Sequence, residues 1–194
     1  MLGTGDVWYF LFNFFLYGFI GWIIENVYCY FVTGHVQEDG FLNGPFKPMY
    51  AIAMSVLIFI QETLTLSVLP LILVCVLLPT MVEYLSGLLT RHVFRKDYWD
   101  YSELKFNVQG LICLQFSICW TFLTYIGVSY VQPILIKPIY VVISSHWFVI
   151  YPFMIIIFLL DEGLTLRTFY LKHVKIKRQI KQEDDLNAGG ESYL

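Results

Sequence analysis

Three carboxylates stand inside strongly apolar stretches: Glu25, Glu83 and Asp161. An ionised carboxylate in hydrocarbon costs at least a few kcal/mol unless it is paired or hydrated. Such acids can share protons, bind a cation, or pair with Arg91, Arg95 or Arg167. A second use is acid–base catalysis on a lipid or lipid-linked substrate, with Glu25 and Glu83 as acid and base and Arg91 holding a phosphate. A structural use stands beside both. Glu83 can bond a Tyr or Trp of a neighbouring helix, and Asp161-Glu162 can cap a break at Gly163. Trp22 shares the Glu25 face. Trp99, Asp100 and Asn107 follow Arg91 in a polar, aromatic stretch, and they complete the candidate binding residues. No catalytic residue, cofactor site or metal site is assigned. His35, His92, His146 and His173 are scattered, with no paired-ligand spacing.

The surrounding composition sets what must position these groups. Hydrophobic residues make up 58% of the 194 and charged residues 14%. A soluble domain has about 45–50% and 25%, so an integral membrane protein is implied. About 20 apolar residues make one span, and five or six spans would use nearly the whole chain. No basic stripe interleaved with aromatics points to nucleic acid. Cys29, Cys75, Cys113 and Cys119 all lie in apolar segments and read as small buried hydrophobes. The first residues carry Asp6 and no Lys or Arg, so the first apolar run is expected to stay as a transmembrane helix.

The expected fold is all-α: a polytopic bundle of about five spans plus an interfacial or re-entrant segment. Spans are expected near 7–32, 49–60, 66–89, 106–128 and 147–171, with a turn at Gln61-Glu62-Thr63. Residues 131–145, with Pro133, Lys137 and Pro138, read as the interfacial or re-entrant piece. Gly18, Gly21, Trp22, Glu25 and Cys29 share one helix face, where small residues let another helix approach. Pro79, Glu83, Gly87 and Arg91 form a row spaced by four, and Pro79 should free a carbonyl near Cys75. Asn107, Gly110, Cys113 and Ser117 read as one face of the fourth span, with Asp100–Ser102 capping its start. Residues 1–181 form the transmembrane domain, and 182–194 a polar, disordered cytoplasmic tail. The basic residues of 91–105 and 172–181 belong in the cytoplasm, which puts the N-terminus outside and the C-terminus inside a cell membrane. The three acids then lie in the cytoplasmic half. Glu25 and Glu83 are roughly 10 Å deep and Asp161 roughly 15 Å. They are expected to converge on a polar cavity open to the cytoplasm.

Several pieces, in order, carry a resemblance: Gly21-Trp22-Ile23-Ile24-Glu25, Gly40-Phe41-Leu42-Asn43-Gly44-Pro45 with Pro48 and Tyr50, and Glu83-Tyr84 with Gly87. Tyr98-Trp99-Asp100-Tyr101-Ser102 and Phe106-Asn107 with Gly110 and Cys113-Leu114 complete the set. Together they resemble the bacterial CmpB-like ABC-transporter type IV membrane proteins, over most of residues 20–115. The chain departs from that pattern at Asp39, Ala51 and Thr90-Arg91. The resemblance implies a transport component, a permease or substrate-binding subunit, for a small-molecule, ion or lipid ligand. No Gly-x-x-x-x-Gly-Lys-Ser/Thr loop occurs in the chain. Energy would come from a separate ATPase docked on cytoplasmic loops, or from an ion gradient. A lipid enzyme and a structural or regulatory membrane partner are the alternatives.

Overall fold

Twenty-seven residues, Val7–Thr33, form the first helix, α1. At 1.5 Å per residue it is about 40 Å long, more than the roughly 30 Å of a hydrocarbon core. It ends at Gly34, whose φ of 78° is the left-handed cap that glycine adopts without a Cβ clash. The computed structural model describes residues 6–36 and 40–190. α2 spans Pro48–Leu64, and Pro48 at its first turn forgoes an N–H that would have no partner there. The expected turn at Gln61–Thr63 is instead the last turn of α2, and the chain breaks at Thr65, φ 46°. α3 covers Val68–Leu89 and runs into a π-helical turn, Thr90–Phe94, closed by Arg95 at φ 55°.

The fourth segment differs most from expectation. Asn107 to Cys113 is not helical. Asn107–Val108 (β1) and Ile112–Cys113 (β2) pair antiparallel around Gln109 and Gly110, at φ 55° and 71°. Two successive positive-φ residues make the turn whose twist suits a hairpin. α4 begins only at Leu114 and ends at Ile126. Its N-cap is Cys113, so Asp100–Ser102 do not cap it. Residues 127–136 then continue as a π-helix, and α5 runs Lys137–Gly190. Residues 131–145 are thus helical throughout, joined to both neighbours without a loop. Pro133 inside the π segment offers no N–H to an α-helical ladder. Of the expected tail 182–194, residues 191–194 lie outside the described residues.

The architecture is nearly all-α. Among the described residues, three helices are long and apolar enough to cross a membrane: Val7–Thr33, Val68–Phe94 and Leu114–Leu171. The shorter apolar helix Pro48–Leu64 accompanies them. The 58-residue run Leu114–Leu171 would be about 87 Å long if straight. Its contacts show that it doubles back. Trp120 touches Glu83 of α3, Lys137 touches Glu62 at the far end of α2, and Asp161 touches Gly44 just before α2 begins.

α1 packs chiefly on α2, along the small-residue face. Gly18 lies against the Phe46 ring and Gly21 against Tyr50. The core is aromatic. Phe12 lies 5.0 Å from Tyr140 and, edge to face, 5.4 Å from Trp147, and Phe46 sits 5.2 Å from Phe158. The proline-freed carbonyl of Cys75 has Thr124 Oγ1 of α4 at 3.5 Å. A neighbouring helix thereby meets the backbone group that Pro79 leaves without its N–H.

Candidate functional site

Every fourth residue of α3 from Leu71 to Gly87 is buried: Leu71, Cys75, Pro79, Glu83 and Gly87. That spacing keeps one stripe facing the bundle. Glu83 is only 2% exposed. Its Oε1 accepts hydrogen bonds from the Tyr101 hydroxyl at 3.0 Å and the Trp120 indole N–H at 3.1 Å. Its Oε2 has no hydrogen-bond partner. Glu83 also lines a cavity of about 30 Å³ between α2, α3 and α4, walled by Met49, Tyr50, Ala53, Pro79, Val82 and Trp120. That is room for about one water.

Glu25 lies next to this region. It forms an ion pair with Lys47, whose own backbone N–H bonds to the Gly18 carbonyl at 3.0 Å. Both side chains are largely buried, so removing either charge would strand the other. Tyr50 lies beside Glu25, packs edge-on against Trp120 at 5.3 Å and walls the cavity. Glu25 and Glu83 are electrostatic neighbours across this ring.

The 95–113 loop carries Tyr101 to Glu83. Asn107 is its staple: Nδ2 donates to the carbonyls of Ser102 (3.1 Å) and Leu104 (2.7 Å), and Oδ1 accepts from the Gly110 N–H (3.1 Å). Tyr101 N–H bonds the Gly110 carbonyl at 2.8 Å, and the Tyr101 ring stacks on Phe116 at 4.7 Å. Burial and the neighbouring Glu83 push the Tyr101 phenol far up, so it stays a donor. Trp99 donates to the Leu111 carbonyl at 2.8 Å with its ring against Gly87. Asp100 Oδ1 accepts from the Ser102 N–H at 2.9 Å, which holds its carboxyl below the usual range. Arg91 donates through Nε to Asp97 and through Nη1 to the Gln109 carbonyl, both at 2.8 Å. It is a strut of the loop, with no carboxylate of the buried pair on it.

Of the predicted residues, then, the structure brings Glu25 and Glu83 together and uses Trp99, Asp100, Asn107 and Arg91 to shape the loop over them. Asp161 goes elsewhere. It accepts from the backbone N–H groups of Asn43 (3.2 Å) and Gly44 (2.9 Å) and so fixes the loop before α2. Trp22 stacks on the exposed Phe19 ring at 6.0 Å. Tyr50, Tyr101, Trp120 and Lys47 were not among the predicted residues. A second buried polar group also escaped the sequence. Gln132 accepts from the Tyr17 hydroxyl (2.7 Å) and donates to Tyr9 Oη (2.7 Å) and Asn13 Oδ1 (2.8 Å). Its signal was the polar row Tyr9, Asn13 and Tyr17, spaced by four on α1.

Long apolar helices whose polar side chains bond to one another define a membrane-embedded helical protein. The chain belongs to the family described as Putative ABC-transporter type IV, whose sequence model matches residues 12–166. No curated protein and no solved structure matches it. Membership makes this a membrane transport-related protein.

Proposed function

We propose that the chain is the membrane component of a transporter, a permease or substrate-binding subunit. Its site is the Glu25–Glu83 region, opening at the cytoplasmic end of the bundle. The observation that carries this is Glu83, a buried carboxylate that lines a cavity and has one oxygen held by two donors and the other unpartnered. A carboxylate kept only to tie helices together would be expected to use both oxygens.

The reading includes five passes through the cell membrane, with the N-terminus outside and the C-terminus inside. Support comes from the aromatic contacts of Phe41 with Phe94 (5.0 Å) and of Phe94 with Phe169 (4.8 Å). They gather the Lys47 loop, the Arg91–Lys105 loop and the start of the 172–181 basic run at one end. Lys137, at the other end, is bonded to Glu62 at 3.0 Å. With the native cysteines replaced, a membrane-impermeant thiol reagent added to intact cells should label a cysteine placed at Leu64 and miss one placed at Lys105. Labelling at Lys105 alone would reverse the orientation.

A separate ATPase would dock on the basic cytoplasmic loops. The test is to recover the tagged protein from its membranes in mild detergent and identify co-purifying proteins and small molecules by mass spectrometry. An ATPase subunit in stoichiometric yield is the expected result. A bound metabolite or lipid without an ATPase would make the chain a stand-alone carrier or a lipid enzyme.

A further inference from the structure

We propose that Glu83 is a proton-binding site, the carboxyl carrying H+ on Oε2 in the conformation seen here. This deepens the transport reading by naming the ligand of the same pocket. The argument is one of donors, acceptors and room. Oε1 takes two hydrogen bonds from neutral donors, and Oε2 takes none. Among the described residues, the charged and titratable groups around it are few. α1 contributes Glu25, the loop before α2 contributes Lys47, α2 contributes Tyr50, and the 95–113 loop contributes Tyr101. The one cation among them, Lys47, is ion-paired with Glu25. An anionic Glu83 would therefore sit in an apolar interior beside a second carboxylate with no counter-charge of its own, which is the costly arrangement. A proton removes that cost.

A metal ion does not fit the same space. Hard cations take about six or more oxygen ligands. Here Glu83 is the one carboxylate lining a water-sized cavity, which is otherwise walled mostly by Met49, Ala53, Pro79 and Val82. Among the described residues no group of three His, Cys, Asp or Glu could hold a metal. The chemistry is a reversible protonation: Oε2 takes H+ from water and gives it back to water. No other bond is made or broken.

The experiment is infrared difference spectroscopy on the purified, full-length protein in lipid vesicles, followed through a pH titration. A protonated carboxylic acid has a carbonyl-stretch band that an ionised carboxylate lacks. The expected result is such a band at neutral pH, absent in Glu83→Gln, which mimics the protonated side chain and should accumulate normally. No band at neutral pH, or a band that survives in Glu83→Gln, overturns the proposal. If Glu83→Gln does not accumulate, Tyr101→Phe decides. Losing one donor to Oε1 disfavours the ionised form, so the midpoint of the band should rise by about one pH unit, the tenfold worth of one hydrogen bond. An unchanged midpoint assigns the band to another acid. Failure to find an ATPase partner would leave the band untouched, so the two readings fail separately.

Discussion

Gly21→Val should cut the yield of folded protein about tenfold or more, while Gly18→Ala costs much less. Both glycines lie where α1 meets the start of α2, and a Cβ at either would overlap a ring. The difference lies in which part of the ring is struck. At Gly18 the overlap is with the far edge of the Phe46 ring, and a ring can pivot about its χ angles. At Gly21 it is with Cβ and Cγ of Tyr50, atoms that move only if the α2 backbone moves. Over-packing a close-packed contact typically costs 1–3 kcal/mol, and a valine adds two further methyls to the overlap. The displacement also reaches the site, because Tyr50 walls the Glu83 cavity and lies beside Glu25. Thermal unfolding of the detergent-solubilised variants, read by size-exclusion profile, measures the effect. Equal midpoints for Gly21→Val and wild type would mean that the helices pack through other residues.

The close approach at Gly21 was legible in the sequence because it depends on one helix: small residues at i, i+3 and i+4 mark a face that a neighbour can reach. The same holds for the α3 stripe, where spacing by four put Pro79, Glu83 and Gly87 together, and all three are buried. The hairpin was not legible. Asn107, Gly110, Cys113 and Ser117 have helical spacing, but Gln109 and Gly110 adopt positive φ, and the loop is held by Asn107 bonds to Ser102, Leu104 and Gly110. Those bonds are local and specific, and an apolar count does not see them. Residues 131–145 are helical, which their prolines did not announce. The polar partners of this segment were not legible either, because they lie far away in sequence: Tyr9, Asn13 and Tyr17 for Gln132, and Glu62 for Lys137. Asp161 shares the expected cytoplasmic half with Glu25 and Glu83 but serves a backbone turn, and depth carries no information about direction around a helix.

Gln132→Leu is the second large effect expected, and it tests whether the π segment is held by its polar anchor. The substitution deletes three hydrogen bonds and leaves Tyr9 Oη, Tyr17 Oη and Asn13 Oδ1 without that partner. Side-chain hydrogen bonds in membrane proteins average about 0.6 kcal/mol by double-mutant cycle, which gives roughly 2 kcal/mol for three. An orphaned buried polar group costs about 1–3 kcal/mol each by the measure used for soluble cores. The smaller figure is the better guide for the hydroxyls, which can rotate toward other acceptors; Asn13 keeps its Nδ2 bond to the Tyr9 carbonyl at 2.8 Å. There is a further consequence for geometry. Gly127–Ile136 is wound more loosely than an α-helix, and Gln132 is the residue that ties this winding to α1. Without the tie, reversion toward α-helical winding would turn Lys137 away from Glu62. Gln132→Leu should therefore weaken the Lys137–Glu62 coupling as well as lower stability. A double-mutant cycle of Lys137→Met and Glu62→Gln, run in the wild-type and the Gln132→Leu backgrounds, separates the two. Coupling that survives unchanged in the Leu background would show that the π segment keeps its winding without Gln132. Coupling that disappears would make Gln132 the residue that sets the register of α5.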